Sequence, residues 1–495
     1  MTLVTPVGTV PLADLGAVHF TGIGGAGMSG IARIMLARGV PVSGTDAAAS
    51  AQLDELAALG AVVHAGHGAQ YLGGADTLVV STAIRPDNPE HAAARQRGLR
   101  ILHRSAALAA VMAGRRGVAV AGTHGKTTTT SMITTVLRAC GAQPSYVIGG
   151  ILAETGLGAE LGAGELFVAE ADESDGSFLN LSPQAAVVTC VEADHLDNYE
   201  SLEQIEAAFA AFAARIRPGG VLVTCADDPG ARRLAATAAR QAAALATEQP
   251  GGSALRLLSY GEAADADYRL GAVLPRGMTT SLQVTAGPRT ARGRSAPVPV
   301  QIAVPGRHNA LNAAAAFALA AELGFGPGEI AAGLAGYRGA RRRMEPKGEG
   351  DGVRVLDSYA HHPTELAADL AAARDVADGE RAGGRVIAVF QPHLFSRTRL
   401  FAAGFGAALG GADEVIVLDV YAAREDPEPG VTGRLVADAV PGGSARYLPG
   451  RGDVPAAVAA LAKPGDLVLT MGAGDVTALG PQIVAALQAR AGSGQ

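Results

Sequence analysis

The chain is nearly without lysine: of 495 residues only Lys126, Lys347 and Lys463 carry an ammonium. Cysteine is as scarce, since Cys140, Cys190 and Cys225 are odd in number, widely spaced and without a CxxC pair. That excludes a disulfide frame or a thiolate zinc site and fits small reduced thiols. No apolar run approaches the roughly 18 residues of a membrane helix, and MTLVTPVGTV has no basic stretch followed by an apolar core. Neither membrane insertion nor a signal peptide is expected, and the expected compartment is the cytoplasm. A net charge of −7 lacks the positive excess that phosphate backbones reward, which argues against a nucleic-acid partner. An anionic ligand must then be met by local cations. Fixed-period repeats are also absent, and the high Ala and Gly content is spread over the whole chain.

What is present is a composition of 48% hydrophobic and 18% charged residues, suited to burying several cores. The length suggests about three domains at roughly 150 residues each. AVHFTG, GMSGIARIMLARG, VPVSGTD and AQLDELAALG alternate β-branched runs with Ala/Leu-rich stretches, a βαβ rhythm that implies a parallel sheet. The GRRG turn at 114–117 predicts a first boundary, after which GVAVAGTHGKT restarts as strand, loop and helix. Strands are expected at ELFVAEAD, AAVVTCVEAD and GVLVTCADD. Residues 240–300 are least legible, with SLQVTA readable as an antiparallel excursion. The polar, glycine-rich GYRGARRRMEPKGEGDG predicts a second boundary near 340, beyond which RVLDSY, GRVIAVFQPH, DEVIVLDVY and DLVLTMGAG again read as a doubly wound unit. The expected domains are 1–114, 115–340 and 341–495.

Lys126 lies in AGTHGKTTTTS, residues 121–131. Backbone N–H groups of Gly122, Thr123, His124 and Gly125, a compact ammonium, and the hydroxyls of Thr127 and Thr128 are what a triphosphate with Mg²⁺ needs. Val120 stands where a Walker A motif has its first glycine, so the pattern is the shorter GTHGKT. Residues 22–27, GIGGAG, place Gly22, Gly24 and Gly27 in the dinucleotide spacing between an apolar run and a helix, with Asp46 nineteen residues on (46 − 27). With glycine so abundant the spacing alone says little, and Asp46 reads equally as a ribose contact or a turn residue. EADESDGS (170–177) and EADHLDNY (192–199) each follow an apolar strand, and Glu170 and His195 are the candidates there for holding a hard cation. In GRHNALNAA, Asn309 and Asn312 share a helical face, as an adenine edge or a helix cap would require. ARRRME, DSYAHHPTE and QPHLFSRTR gather Arg341, Arg342, Arg343, Asp357, His361, His362, His393, Arg397 and Arg399, whose guanidiniums suit phosphate and carboxylate groups.

Taken in order, GIGGAGMSGIA, GTHGKTTT, EADESD, EADHLDNY, GRHNALN, RRR, DSYAHHPTE, FQPHLFSRT and MGAGDV resemble the Mur ligases over nearly the whole chain. HHPTE and GIGGAGMSG are the motifs that mark the branch acting first on the sugar nucleotide. The resemblance implies an α/β protein of three domains: a Rossmann-like N-terminal domain for the UDP sugar, a P-loop-type central ATPase domain, and a Rossmann-like C-terminal domain that brings the amino acid and closes over ATP. It implies an ATP-dependent amide-bond ligase joining L-alanine to the lactyl carboxylate of UDP-N-acetylmuramate, as monomer or homodimer.

On the same ground Gly22, Gly24, Gly25, Ala26, Gly27, Met28, Ser29, Asp46 and Ser81 would meet the UDP sugar. Thr127, Glu170 and His195 would hold two magnesium ions, Asn309 and Asn312 the adenine, Arg343 the phosphates and Asp357 the ribose side. His361, His362, His393 and Arg397 would line the amino-acid site, with Lys126, Glu170, His195, Arg343 and His361 as the catalytic set. Relatives that act later use a carbamylated lysine between positions that here hold none, from Lys126 to Lys347, so that device is not expected. Leu394 stands where many members have a basic residue, which leaves Arg397 or Arg399 for the carboxylate. Cys190 and Met344 replace frequent Asn and Phe and read as packing changes. Two alternatives stay open: a recycling ligase that attaches a stem tripeptide to the same sugar nucleotide, and a nicotinamide-dependent oxidoreductase that uses GIGGAG and Asp46 literally.

Overall fold

The computed structural model describes residues 3–196, 198–248, 253–380, 383–423, 425–443 and 445–493; Asp197 of the EADHLDNY motif lies outside them. Among the described residues three sheets follow one another along the chain. The first has the order Val62–Ala65, Val42–Asp46, Val18–Thr21, Thr77–Val80, Arg100–His103, with every pairing parallel. Its helices follow their local signals. Ala26–Ala37 buries Met28, Ile31, Ile34 and Met35 at helical spacing. Asn88 caps Pro89–Arg97 by accepting from Glu90 N at 3.0 Å, and Gly98 ends that helix in the left-handed region.

Glu90 turns inward from that cap and is fully buried. Its carboxylate accepts from Thr21 Oγ1 (2.6 Å), Thr45 Oγ1 (2.8 Å) and Gly68 N (3.0 Å), with His19 Nε2 3.4 Å away. Burial pushes this acid up, but the donors His19, Thr21, Gly68 and Thr45 outweigh it and bring it down to about 2. A pKa depressed from 4.5 to about 2 makes the ionised form a source of stability that is present above pH 4.5 and lost as pH falls towards 2. Glu90→Gln is therefore expected to cost roughly 3 kcal/mol at pH 7. In urea unfolding of both proteins, the gap should narrow steadily between pH 5 and pH 3; a gap constant with pH would show that the charge is irrelevant.

The second sheet has ten strands, in the order Val298–Ile302, Thr279–Ala286, Tyr268–Arg276, Arg256–Gly261, Val221–Cys225, Ala185–Val188, Arg116–Ala121, Leu166–Glu170, Ser145–Val147, Ala159–Glu160. Arg116–Ala121 is central and pairs in parallel with Leu166–Glu170 on one side and Ala185–Val188 on the other. The stretch around SLQVTA forms the strand Thr279–Ala286, joined to Tyr268–Arg276 by only two residues. The third sheet runs Glu345–Gly350, Val353–Ser358, Leu467–Met471, Val386–Phe390, Glu414–Val417, Ala445–Tyr447. Only its first pairing is antiparallel. Its two faces are covered by separate apolar clusters, one built on Leu366, Leu370 and Phe405, the other on Val454, Ile483 and Leu487. The expected doubly wound α/β class is thus what the chain adopts.

The chain divides into two compact units: Met1–Gly271, Val284–Val298 and Leu311–Tyr337; and Ala272–Gln283, Pro299–Ala310 and Arg338–Gln495. The first and second sheets share a unit because one apolar cluster runs from Ile31 and Met35 through Val147, Ala159 and Phe167. Among the described residues no helix is long and apolar enough to cross a membrane.

Candidate active site

In the first unit the site forms where three parallel strands end side by side, the place where doubly wound sheets bind ligands. Arg116–Ala121 leads into residues 122–125 and then into the helix Lys126–Ala139. The glycines of this loop are there for two reasons. Gly122 and Gly125 have φ of 135° and 78°, and a Cβ on Gly122 would lie 2.0 Å from Thr189 Oγ1. The loop backbone thereby sits against the end of the neighbouring strand. Cys190 Sγ accepts from His124 N at 3.2 Å, and Thr189 Oγ1 donates to His124 O. Cys190 thus braces the loop, which adds a contact to the packing role read from the sequence. Burial pushes its thiol well above the ordinary cysteine value, so it stays protonated.

Leu166–Glu170 delivers Glu170 to the first turn of the helix. Thr127 Oγ1 donates to Glu170 Oε1 at 3.1 Å, and Gly149 N donates to Oε2 at 2.9 Å. A hydroxyl and a carboxylate at this spacing, facing a helix N-terminus, form a hard oxygen set of the kind that suits Mg²⁺ with phosphate oxygens. The residues therefore fit the ion. His195 lies beyond the strand on the other side, with Nε2 3.5 Å from Asp194 Oδ2 and 3.7 Å from Glu173 Oε1. Its φ of 53° is unusual for a side-chain-bearing residue, and Asn198 N and Tyr199 N hold it by donating to its carbonyl at 2.8 and 3.0 Å.

Lys126 turns into its own loop, its Nζ donating to Gly122 O (2.8 Å), Thr123 O (3.2 Å) and Glu173 Oε1 (2.8 Å). Burial works against the ammonium, but Glu173, Asp172 and Glu170 outweigh it and hold its pKa above the ordinary lysine value. Asp172 is taken by a different cation, Arg104 Nη2 at 2.5 Å. Burial raises that acid, and Arg104, Lys126 and His195 more than reverse the effect, so it stays ionised. Asn312 lies under the same loop: Thr129 Oγ1 donates to its Oδ1 at 3.1 Å, and a Cβ on Gly125 would meet that oxygen at 2.7 Å.

At the end of the first sheet, Gly22 (φ 81°) opens the turn before the helix Ala26–Ala37, and Asp46 Oδ2 accepts from Gly24 N at 2.8 Å. Asp46 therefore secures the loop's own backbone. Ser81 directly follows Thr77–Val80, and its carbonyl accepts from Ile84 N at 3.0 Å. Arg104, at the start of the helix Arg104–Met112, reaches this loop as well, since a Cβ on Gly27 would lie 3.4 Å from its Nη1.

The second unit holds the remaining candidates. Arg342 and Arg343 place their guanidiniums 4.8 and 5.3 Å from the Tyr359 ring centroid. His361 meets the same ring edge-on at 5.3 Å, while its Nδ1 lies 3.0 Å from Tyr359 O. His393 stacks on Tyr421 at 5.8 Å and lies 6.2 Å from His361. His362 packs against Phe401. Of the two arginines considered for a carboxylate, Arg397 is buried in the first turn of Phe395–Leu409, whereas Arg399 is exposed and paired with Glu428 at 3.0 Å. Asn309 Nδ2 donates to Pro305 O at 2.7 Å. Asp357 is fully buried, accepting from Thr470 Oγ1 and Thr477 Oγ1 at 2.7 Å each, with Arg342 Nε at 3.4 Å and Lys347 Nζ at 3.7 Å.

Glu173, Arg104, Tyr359 and Tyr421 were not singled out from the sequence. Glu173 stands inside EADESD and Tyr359 inside DSYAHHPTE, so both motifs carried a signal; Arg104 had none, because its partners are distant in sequence.

A phosphate-binding loop opening a helix, beside a strand-end carboxylate in a doubly wound sheet, defines an enzyme that uses a nucleoside triphosphate. The Mur ligase family, catalytic domain, matches residues 17–116; the Mur ligase middle domain matches 120–320; and the Mur ligase, glutamate ligase domain, matches 342–474. The chain belongs to the Mur ligase family, a family of ATP-dependent acid–amino-acid ligases. It is 56% identical to the UDP-N-acetylmuramate--L-alanine ligase of Thermobifida fusca (strain YX), over 98% of this chain and 100% of that protein. Its identity to the enzyme of the same name from Kineococcus radiotolerans is 54%, over 97% and 98% of the two chains. The crystal structure of the UDP-N-acetylmuramate-alanine ligase of Thermotoga maritima aligns with a TM-score of 0.77 at 27% identity, covering 97% of this chain and 100% of that one. A murein peptide ligase from Psychrobacter arcticus shares the fold, with a TM-score of 0.67 at 23% identity over 96% and 99% of the chains.

Proposed function

We propose that this protein joins L-alanine to the lactyl carboxylate of UDP-N-acetylmuramate, consuming ATP and releasing ADP and phosphate, in the cytoplasm as the first peptide-bond step of peptidoglycan synthesis. The observation that carries the reading is Thr127 and Glu170 set 3.1 Å apart beside Lys126, in a chain similar end to end to alanine ligases. A carboxylate is a poor electrophile, so its oxygen first takes the γ-phosphoryl group of ATP, giving an acyl phosphate and ADP. The neutral amine of alanine then attacks the acyl carbon, and the tetrahedral intermediate collapses to the amide, expelling phosphate and losing a proton.

Two anions must approach at the first step. Lys126 and the N-terminus of its helix offset that repulsion at the phosphate oxygens. Thr127, Glu170 and His195 would hold two Mg²⁺ ions, which when bound supply further neutralisation of phosphate charge. Asn309 and Asn312 are assigned to the adenine, Arg343 to the phosphates and Asp357 to the ribose side. The GIGGAG loop takes the diphosphate of the UDP sugar with Met28, Ser29, Asp46 and Ser81 around it. His361, His362, His393 and Arg397 are assigned to the amino acid, and the proton that the amine loses goes to bulk water or to a histidine. The domain limits 1–114, 115–340 and 341–495 belong to the same proposal.

The test is phosphate release by purified protein with ATP, Mg²⁺ and UDP-N-acetylmuramate. Addition of L-alanine should start release, and mass analysis should find the alanyl product from a mixture of all amino acids and the stem tripeptide. A tripeptide product would assign the protein to the recycling reaction instead. No release with L-alanine, glycine or L-serine would refute the alanine assignment.

A further inference from the structure

Glu173 takes no part in the reaction as set out above, yet its side chain is built directly against Lys126. Its side chain is 3% exposed, one carboxylate oxygen accepts from Lys126 Nζ at 2.8 Å, and the other has no hydrogen-bond partner among the described residues. The acid cannot follow the lysine, because its own backbone is held. Tyr199, itself buried, donates its hydroxyl to Glu173 O at 2.6 Å, and Gly176 N donates to the same oxygen at 2.9 Å. Asp172 next to it is engaged by Arg104, so Glu173 is the carboxylate in hydrogen-bond contact with the ammonium. An ammonium has three N–H groups, and the acceptors at Gly122 O, Thr123 O and Glu173 Oε1 use all three. For Lys126 to reach a phosphate oxygen, at least one of these bonds must break. The carbonyls are part of the loop that cradles the phosphates; the carboxyl group is the competing acceptor, and although burial pushes its acid up to about 8 against the pull of the Lys126 ammonium, the 2.8 Å contact makes it the ammonium's counter-ion once it is ionised.

We propose that Glu173 is a positioning residue for Lys126: it serves as an internal counter-ion that occupies the ammonium before nucleotide arrives and is displaced from it by the phosphate chain. The arrangement keeps a buried cation paired when no ligand is present, at the expense of nucleotide affinity. The carboxylate freed by phosphate binding lies 3.7 Å from His195 Nε2, which provides it with a second partner. The inference rests on the reading of Lys126 as the phosphate-contacting ammonium.

Calorimetry with ADP in EDTA, without Mg²⁺, isolates the competition from metal binding and from turnover. At pH 9, where the Glu173 acid raised to about 8 is ionised, Glu173→Gln and Glu173→Ala should each bind ADP roughly tenfold more tightly than the parent, since a charge some 3 Å from the ammonium no longer competes. In a Lys126→Ala background the gain should disappear, which a double-mutant cycle reads directly. Unchanged or weaker binding by a Glu173→Gln protein with a native melting profile overturns the proposal. A tightening that persists without Lys126 also overturns it, because the carboxylate would then act only through the general field of the site. If Lys126→Ala alone leaves ADP affinity untouched, what fails is the assignment of Lys126 to the phosphates. The scarcity of lysine supplies a second readout. With ¹³C-labelled lysine only three Nζ-adjacent signals arise, and the Lys126 signal should shift on adding ADP in the parent and much less in Glu173→Ala.

Discussion

Lys126→Ala is expected to lower turnover by about a thousandfold or more while leaving the affinity for UDP-N-acetylmuramate unchanged. The loss is expected to be large because the ammonium is assigned to the step in which two anions meet, and no other lysine lies between positions 126 and 347. Folding should survive the substitution in part because the loop keeps its other supports: Thr189 Oγ1 on His124 O, Cys190 Sγ on His124 N, and Thr123 Oγ1 accepting from Glu192 N at 2.9 Å. Sugar-nucleotide binding is assigned under this proposal to another glycine loop, at the end of a different sheet, where Gly24 is secured by Asp46. Phosphate release under saturating substrates and calorimetry with UDP-N-acetylmuramate measure the two effects separately. Equal loss of both would contradict the division of ligands between the first and second domains.

Asp357→Ala is the second large effect, and it acts on stability. The carboxylate is fully buried between two hydroxyls and two cations, so truncation leaves Thr470, Thr477, Arg342 and Lys347 facing an empty space. Breaking one partner of such a network costs about 3 kcal/mol, because Thr470 and Thr477 lose their acceptor and the two largely buried cations are left with Glu345, beside Lys347, and the Gly472 carbonyl, beside Arg342, as their remaining partners. For a unit of this size that corresponds to a fall in melting temperature of roughly 10 °C in the transition of the C-terminal part. Scanning calorimetry should show that fall, with the unfolding of the other unit unmoved. Asp357→Asn, which keeps the shape and one acceptor, should recover part of the loss. A melting profile identical to the parent would mean that the four partners repack around water.

Much of this protein is legible in its sequence. The strands before GIGGAG, before GTHGKT, before DESD and before DHLDNY, as well as those of the last third, form where short apolar runs end in polar or glycine-containing loops. At each, local propensity and tertiary packing point the same way. Within the least legible stretch, residues 240–300, positions 240–248 end the helix Pro229–Glu248, and Arg256–Gly261, Tyr268–Arg276 and Thr279–Ala286 are strands in one half of the second sheet, where pairing partners matter more than local preference. Within the site, Glu170 and Thr127 stood out because each is tied to a strand or helix end. Glu173 was passed over although it lies three residues from Glu170, since nothing in a run of acids says which one turns inward to the lysine.

Sequence alone determined the chemistry on offer: one ammonium in a glycine loop, hydroxyls and strand-end acids near it, histidines and arginines gathered late, and no lysine available for a carbamylated bridge. These are properties of residue type and spacing, and they hold however the domains pack. The tertiary structure decided the pairings. It turned Lys126 back onto Glu173, gave Asp172 to Arg104 from 68 residues away, set Cys190 beneath the phosphate loop, and buried Asp357 among partners drawn from three segments. Such pairings depend on which parallel strands end side by side, and strand order in a doubly wound sheet is a long-range property that local spacing does not encode.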